Sequence, residues 1–203
     1  FGRVESVSIS QNKVLEALKV LESLDPEGNE YKNATASLLR QIDPQKAYGP
    51  TLYDSLARLT WSLAFEAVAL RRKNDKVEIY LRQRAADDTA YPGEWHAPGS
   101  VRRPGESWRK VADRLTNEFG TSINSFREVG RVDSDEARGS FESAIFLVWL
   151  AGHPRVDGRH GWYPVDNLPQ VTVDIHLERI IPIAVQAFAS EFGLPYKLDT
   201  KLI

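Results

Sequence analysis

Apolar residues change their spacing near residue 63. Before it, Val14, Leu18, Leu21 and Leu24 recur at three- and four-residue intervals, the period of an amphipathic helix. Ser10 or Asn12 offers a cap for that helix, and Asp25-Pro26-Glu27-Gly28 stops it. A second helical stretch, Tyr31 to Ile42, carries Leu38, Leu39 and Ile42 on its apolar side and ends at Asp43-Pro44. A third, short helix is expected from Thr51 to about Leu59. From Leu63 onward the pattern turns to strands. Ala64 to Leu70 and Val77 to Leu81 flank Lys73-Asn74-Asp75-Lys76, a hairpin-type turn. A turn-rich loop from Ala85 to Pro104 leads into a helix expected from Ser107 to Phe119, closed by Gly120. Ser140 to Leu150 is the clearest strand. A terminal helix is expected from Asp174 to Phe192, with Ile180, Ala184 and Phe188 on one face. Pro182 inside it should bend it or mark a late start. Strands interrupted by one helix and followed by another predict an α/β layered domain over residues 61–203, preceded by a helical extension over residues 1–60.

Composition narrows what such a domain does. Of 203 residues, 42% are apolar and 27% charged, enough for a core and too apolar for disorder. A net charge of −2 argues against a general nucleic-acid binder, which needs clustered cations to neutralise phosphates. No apolar run approaches the roughly 18 residues of a membrane span. The absence of cysteine excludes disulfides, thiolate zinc sites and cysteine nucleophiles. The first ten residues, FGRVESVSIS, lack the layout of a signal peptide. A cytoplasmic location, no nucleic-acid or membrane partner, and association as a homodimer are the expectations.

The chemistry concentrates in Trp95 to Gly120, W-H-A-P-G-S-V-R-R-P-G-E-S-W-R-K-V-A-D-R-L-T-N-E-F-G. It is a tight Pro-Gly turn, a basic loop and a helix that opens at Gly105-Glu106-Ser107. A helix N-terminus beside a glycine-bearing loop offers unpaired N–H groups and a positive dipole end to an anion. Arg102 and Arg103 add phosphate-compatible charge. Carboxylates projecting from the helix suit a hard divalent cation bridging phosphate oxygens. Loop, helix and carboxylate together point to a diphosphate.

This stretch resembles the Nudix box, G-x5-E-x7-R-E-U-x-E-E-x-G with U aliphatic, through Trp95, Pro98, Gly99, Gly105, Glu106, Arg114, Glu118 and Gly120. The resemblance runs over about residues 62–193, including Tyr163-Pro164-Val165-Asp166-Asn167-Leu168-Pro169 ahead of the last helix. Two of the three box-helix glutamates are replaced, by Leu115 and Asn117, and Glu118 remains. Between Arg114 and Gly120 the chain is one residue shorter than the family spacing. A methionine between Thr116 and Asn117 would restore it, and the chain contains none anywhere. Arg114-Leu115-Thr116-Asn117-Glu118-Phe119-Gly120 is similar to the GDP-mannose mannosyl hydrolase branch, whose helix keeps a single glutamate.

The resemblance implies a Nudix-type α/β/α sandwich with a mixed sheet. It also implies Mg²⁺-dependent hydrolysis of a nucleoside diphosphate linked to another moiety, such as a nucleotide sugar, with Mn²⁺ able to substitute. Gly99, Glu118 and Glu106 would hold the metal, and Arg114 would serve the catalytic loop. His160, in Arg159-His160-Gly161-Trp162-Tyr163, would be the general base. An imidazole, whose ordinary pKa is about 6.5, suits that role. Arg159 stands where the branch has a glutamine ligand, and a guanidinium cannot ligate a cation. Arg84, Arg102 and Arg103 would share the diphosphate charge, with Trp95, His96 and Ser100 against the substrate. His176, near a helix start, reads as a capping or packing residue. The degenerate box keeps open a catalytically silent Nudix-like domain that binds a nucleotide metabolite, and a scaffold that uses the fold as an interface.

Overall fold

The computed structural model describes residues 11–136 and 139–193. They divide into two compact units, with the boundary between Lys46 and Ala47. In the first, α1 (Gln11–Glu22) and α2 (Asn29–Leu39) form as the apolar period predicts. No residue of α2 is buried, and Leu15, Leu18, Val20, Leu38 and Leu39 are exposed.

The second unit opens with α3 (Pro50–Ala57), where Pro50 sits in the first turn and needs no N–H partner. This helix lies in the larger unit. Two four-stranded sheets follow. The mixed sheet has the order β5 (Gly99–Val101), β1 (Trp61–Val68), β7 (Gly139–Leu150), β6 (Ile123–Glu136), with β1 and β7 parallel. The antiparallel sheet centres on β3 (Lys76–Gln83), which pairs with β2 (Leu70–Lys73), β4 (Trp95–His96) and β8 (His160–Pro164). The hairpin turn sits as expected. It joins β2 to β3, with Asn74 and Asp75 at positive φ. The expected strand Ala64–Leu70 is really two, divided at Ala69, where the chain passes from one sheet to the other.

Each sheet contributes to both cores because side chains alternate along a strand. On one side Phe65, Tyr80 and Phe146 pack on Val111, Ala112, Leu115 and Phe119. Phe65 and Phe146 stack there at 4.1 Å with rings within 8° of parallel. On the other side Val68, Ile79, Leu81, Ile145 and Leu147 pack on Ile181, Ala184, Val185 and Phe188. The fold is therefore the expected α/β/α sandwich with a mixed sheet.

Two helices depart from the expected outline. The single helix expected over 107–119 is broken into α4 (Trp108–Arg114) and α5 (Thr116–Phe119). At Leu115 (φ −75°, ψ −5°) the backbone tightens, and its N–H reaches Ala112 C=O three residues back. That tight turn is how this chain accommodates its short spacing between Arg114 and Gly120. Gly120 (φ 72°) then closes α5 in the left-handed conformation. The terminal helix passes through a π-helical turn, His176–Ile180, and becomes α6 (Ile181–Glu191) with Pro182 in its first turn. The helix itself starts at Asp174, as expected, and Pro182 marks no late start: it sits where the π turn gives way to α-helix.

Candidate functional site

The box loop is locked from within. Ser107 caps α4 by accepting from the Lys110 N–H. Arg114 donates from Nε and Nη2 to the two Glu106 oxygens at 3.0 and 2.9 Å. It also donates to Ser100 Oγ at 2.7 Å and to the Val101 carbonyl at 2.8 Å. The Arg103 N–H donates to Glu106 as well. Burial acts to raise the Glu106 carboxyl, but Arg114 and that N–H overcome it and hold the pKa below the usual value. Glu106, Arg114 and Ser100 are thus the brace of the loop. Arg102 adds to it, donating to the Glu106 carbonyl and lying 5.0 Å over the Trp108 ring. Arg102 and Arg103 line a cleft of about 500 Å³ between α3, the start of β1 and the box loop.

A different group of side chains forms the mouth between the sheets. Glu66 interrupts the apolar run of β1 opposite Gly99 of β5, where a Cβ would collide with the Glu66 carboxylate. Arg82 of β3 stands in register with His96 of β4 on one side and His160 of β8 on the other. Glu118 projects from α5, and His176 opens the π turn. Glu66 Oε2 lies 3.8 Å from His176 Nε2, and Ser143 Oγ donates to Glu66 Oε1 at 3.4 Å. The His96 and His176 rings meet edge to face, 5.6 Å apart.

Burial dominates the electrostatics. It pushes the Glu66 carboxyl up to about 8, helped by Glu136 and opposed by Arg84. It pulls His176 down to about 3 and, with His176, Arg84 and Arg82, holds His96 well below its usual value. Glu118 is raised by burial against the pull of Arg82 and Arg84. Arg84 bears on all four groups. It is anchored by Asp88 at 2.7 Å. Burial works to raise Asp88, yet Arg84 and the Tyr91 and Ala90 N–H groups bring it down to about 2.

Among the described residues, five buried polar atoms lack a hydrogen-bond partner, and all belong to this group: Arg82 Nε, Arg84 Nε, His96 Nε2, His176 Nδ1 and Glu118 Oε2. Arg82 Nη1 does stand 3.1 Å from Glu118 Oε2, a contact of charges without the alignment of a hydrogen bond. Such atoms are rare in folded proteins and mark a place for a polar ligand or ordered water. At the rim, His160 Nδ1 meets Asp157 Oδ1 at 2.8 Å, and the His160 bond is the first cause of the lowered Asp157 pKa. Trp95 packs edge to face on Tyr163 at 5.0 Å, as part of the α6-side core.

A divalent cation needs several oxygen ligands converging on one point. The expected set of Gly99, Glu118 and Glu106 does not supply them. Both Glu106 oxygens are taken by Arg114 and the Arg103 N–H, and Glu118 faces a guanidinium. Among the described residues no group of three or more His, Asp or Glu could hold a metal ion. These residues do not fit Mg²⁺ or Mn²⁺.

Solved structures supply the comparison. Over 77% of its length the chain follows 97% of the Nudix domain of NrtR from Shewanella oneidensis, complexed with ADP ribose, at 17% identity and a TM-score of 0.52. It follows 98% of a mutT/nudix family protein from Listeria innocua over 67% of its length, at 19% identity and a TM-score of 0.52. The S. oneidensis NrtR chain crystallised with a 27mer DNA is matched over 63% of its length, with 64% of this chain, 18% identity and a TM-score of 0.51. This is a Nudix fold. No protein-family model matches the sequence, and no curated protein does.

Of the residues expected to form the Nudix site, the mouth gathers Glu118, Arg84, His96 and His160, while Ser100, Arg102, Glu106 and Arg114 brace the loop. Glu66, Arg82 and Asp157 escaped the sequence reading, and His176 was assigned to capping or packing. Glu66 had a signal, a lone charge in the middle of the apolar strand W-S-L-A-F-E-A-V. Arg82 had none, because its importance depends on what α5 and β8 place beside it.

Proposed function

We propose that this chain binds a nucleoside diphosphate linked to a second moiety in the mouth between the sheets, as a Nudix-fold recognition domain. The observation that carries the reading is the set of five unpartnered buried polar atoms around Arg82 and Arg84. Guanidinium N–H groups suit diphosphate oxygens. Glu118 Oε2, ion-paired with Arg82 but without a hydrogen-bond donor, suits a ribose hydroxyl, and the neutral histidines can donate or accept. The likeness in fold to a domain complexed with ADP ribose supports the same ligand class. Isothermal titration with ADP-ribose, GDP-mannose and nucleoside triphosphates tests it. Saturable binding of a diphosphate derivative that weakens in Arg84→Gln is expected, and no binding across the panel would refute it.

A second reading, a Nudix-type hydrolase, is favoured by one observation, the Asp157–His160 pair at the rim. In it, Asp157 would hold the His160 tautomer, His160 would take a proton from water, and Arg82 and Arg84 would offset the charge left on the diphosphate. Turnover of any panel member that is lost in His160→Gln would establish this reading. Binding without turnover would establish the first.

A further inference from the structure

We infer that Arg82 is the resident cation of this site, standing where a divalent metal would otherwise face Glu118, so that the chain takes its diphosphate ligand without metal. The inference rests on the reading of the mouth as a diphosphate site.

Four features converge on it. Glu118, the one carboxylate left on the box helix, has its Oε2 3.1 Å from Arg82 Nη1. The two neighbouring glutamate positions of the box hold Leu115, which is buried in the core, and Asn117. Arg159, in the turn just ahead of β8, stands where the resembled branch has a glutamine ligand and donates to the Gln83 carbonyl instead. Finally, Arg82 is delivered by the sheet itself. Its backbone is paired to His96 on one side and His160 on the other, and its side chain is only 27% exposed. A metal and a guanidinium at one carboxylate exclude each other by repulsion, and the folded chain already supplies the guanidinium.

The arrangement also shows how the cation would be used. Arg82 Nε has no partner, and the contact with Glu118 is not aligned as a hydrogen bond. Arg82 is therefore held in place by charge while its directional bonding capacity remains unspent. An arriving diphosphate offers aligned acceptors to that Nε and to Arg84 Nε. Glu118 then positions Arg82 and does not coordinate a metal.

Two measurements test this on the full chain. In the first, Mn²⁺ is titrated into the protein and free Mn²⁺ is followed by electron paramagnetic resonance. The wild type should leave the free signal undiminished. Stoichiometric uptake that Glu118→Gln abolishes would overturn the inference whether or not any nucleotide binds. In the second, ADP-ribose affinity is measured by calorimetry in EDTA and in Mg²⁺. Equal affinity in both is expected. Arg82→Gln should weaken binding about tenfold or more, the scale of one charge-assisted hydrogen bond, with part of the loss restored in Arg82→Lys. Glu118→Gln should weaken binding by the same factor in EDTA and in Mg²⁺, because it loosens Arg82 and releases no metal. Circular dichroism and melting curves confirm that each variant is folded. Affinity that disappears in EDTA and returns with Mg²⁺ would overturn the inference and leave the diphosphate site standing. Failure to bind ADP-ribose or any other panel member in either buffer would overturn both.

Discussion

Replacing Glu66 with Gln should make the protein more stable at alkaline pH. The amide has nearly the shape of a protonated carboxyl and cannot ionise. In the folded chain the Glu66 carboxyl is pushed up to about 8 by burial and by Glu136, whereas the unfolded chain releases the same proton near the ordinary value of 4.5. Over that window the folded state holds more protons, so raising the pH favours unfolding. Each pKa unit is worth about 1.4 kcal/mol, so between about pH 6 and pH 8 this single group removes roughly 2–3 kcal/mol of stability. His176 works in the opposite direction. It stays neutral in the fold down to about 3 but charges in the unfolded chain below 6.5, so stability falls as the solution is acidified below 6.5. The two slopes oppose each other between 4.5 and 6.5, which is where the wild type should be most stable. Urea unfolding followed by tryptophan fluorescence, repeated from mildly acidic to mildly alkaline pH, reads both limbs. Glu66→Gln should abolish the alkaline fall and leave the acid limb intact. If wild type and variant run parallel on the alkaline side, or carbon-13 titration shows Glu66 ionising near its ordinary value, the argument from burial is wrong.

Other consequences can be measured directly. Arg114→Ala removes four hydrogen bonds and leaves the buried Glu106 carboxylate without its main partner. Chemical denaturation should show a loss of about 2–4 kcal/mol, with Arg114→Lys recovering little because one ammonium cannot span both Glu106 oxygens. Gly99→Ala drives a methyl group into the Glu66 carboxylate, and the melting curve should report about 1–3 kcal/mol of destabilisation. Gly120→Ala forces a Cβ onto a left-handed residue and to within 3.1 Å of Arg155 Cβ, with an expected cost of about 1–2 kcal/mol in the same assay. His176 imidazole resonances should stay in their neutral positions until about pH 3 in an NMR titration.

Much of the framework was legible because it depends on local spacing. The hairpin at Asn74-Asp75, the strand ending at Leu150 and the helices at both ends follow from turn residues and apolar period. Strand β6 (Ile123–Glu136) was not read at all. It carries six charged residues among fourteen and buries only Ile123 and Val132, so its extended form depends on pairing with β7. Residue types in the box loop suggested ligand contacts for Glu106, Arg114, Ser100 and Arg102, yet in the fold these groups satisfy one another. Composition indicates that a cation and a carboxylate are present; it does not say which meets which.

That division has a physical basis. Helix and turn formation, the Nudix-like box pattern and the loss of two of its glutamates are properties of neighbours along the chain, and the sequence alone determined them. The mouth is built by pairings across long separations: Glu66 with His176, Arg82 with Glu118, His96 and His160. Whether a charge binds a metal, braces a loop or awaits a ligand depends on burial and on the partner within a few ångströms. Those are quantities that exist only once the sheets have closed on each other, and the tertiary structure alone decided them.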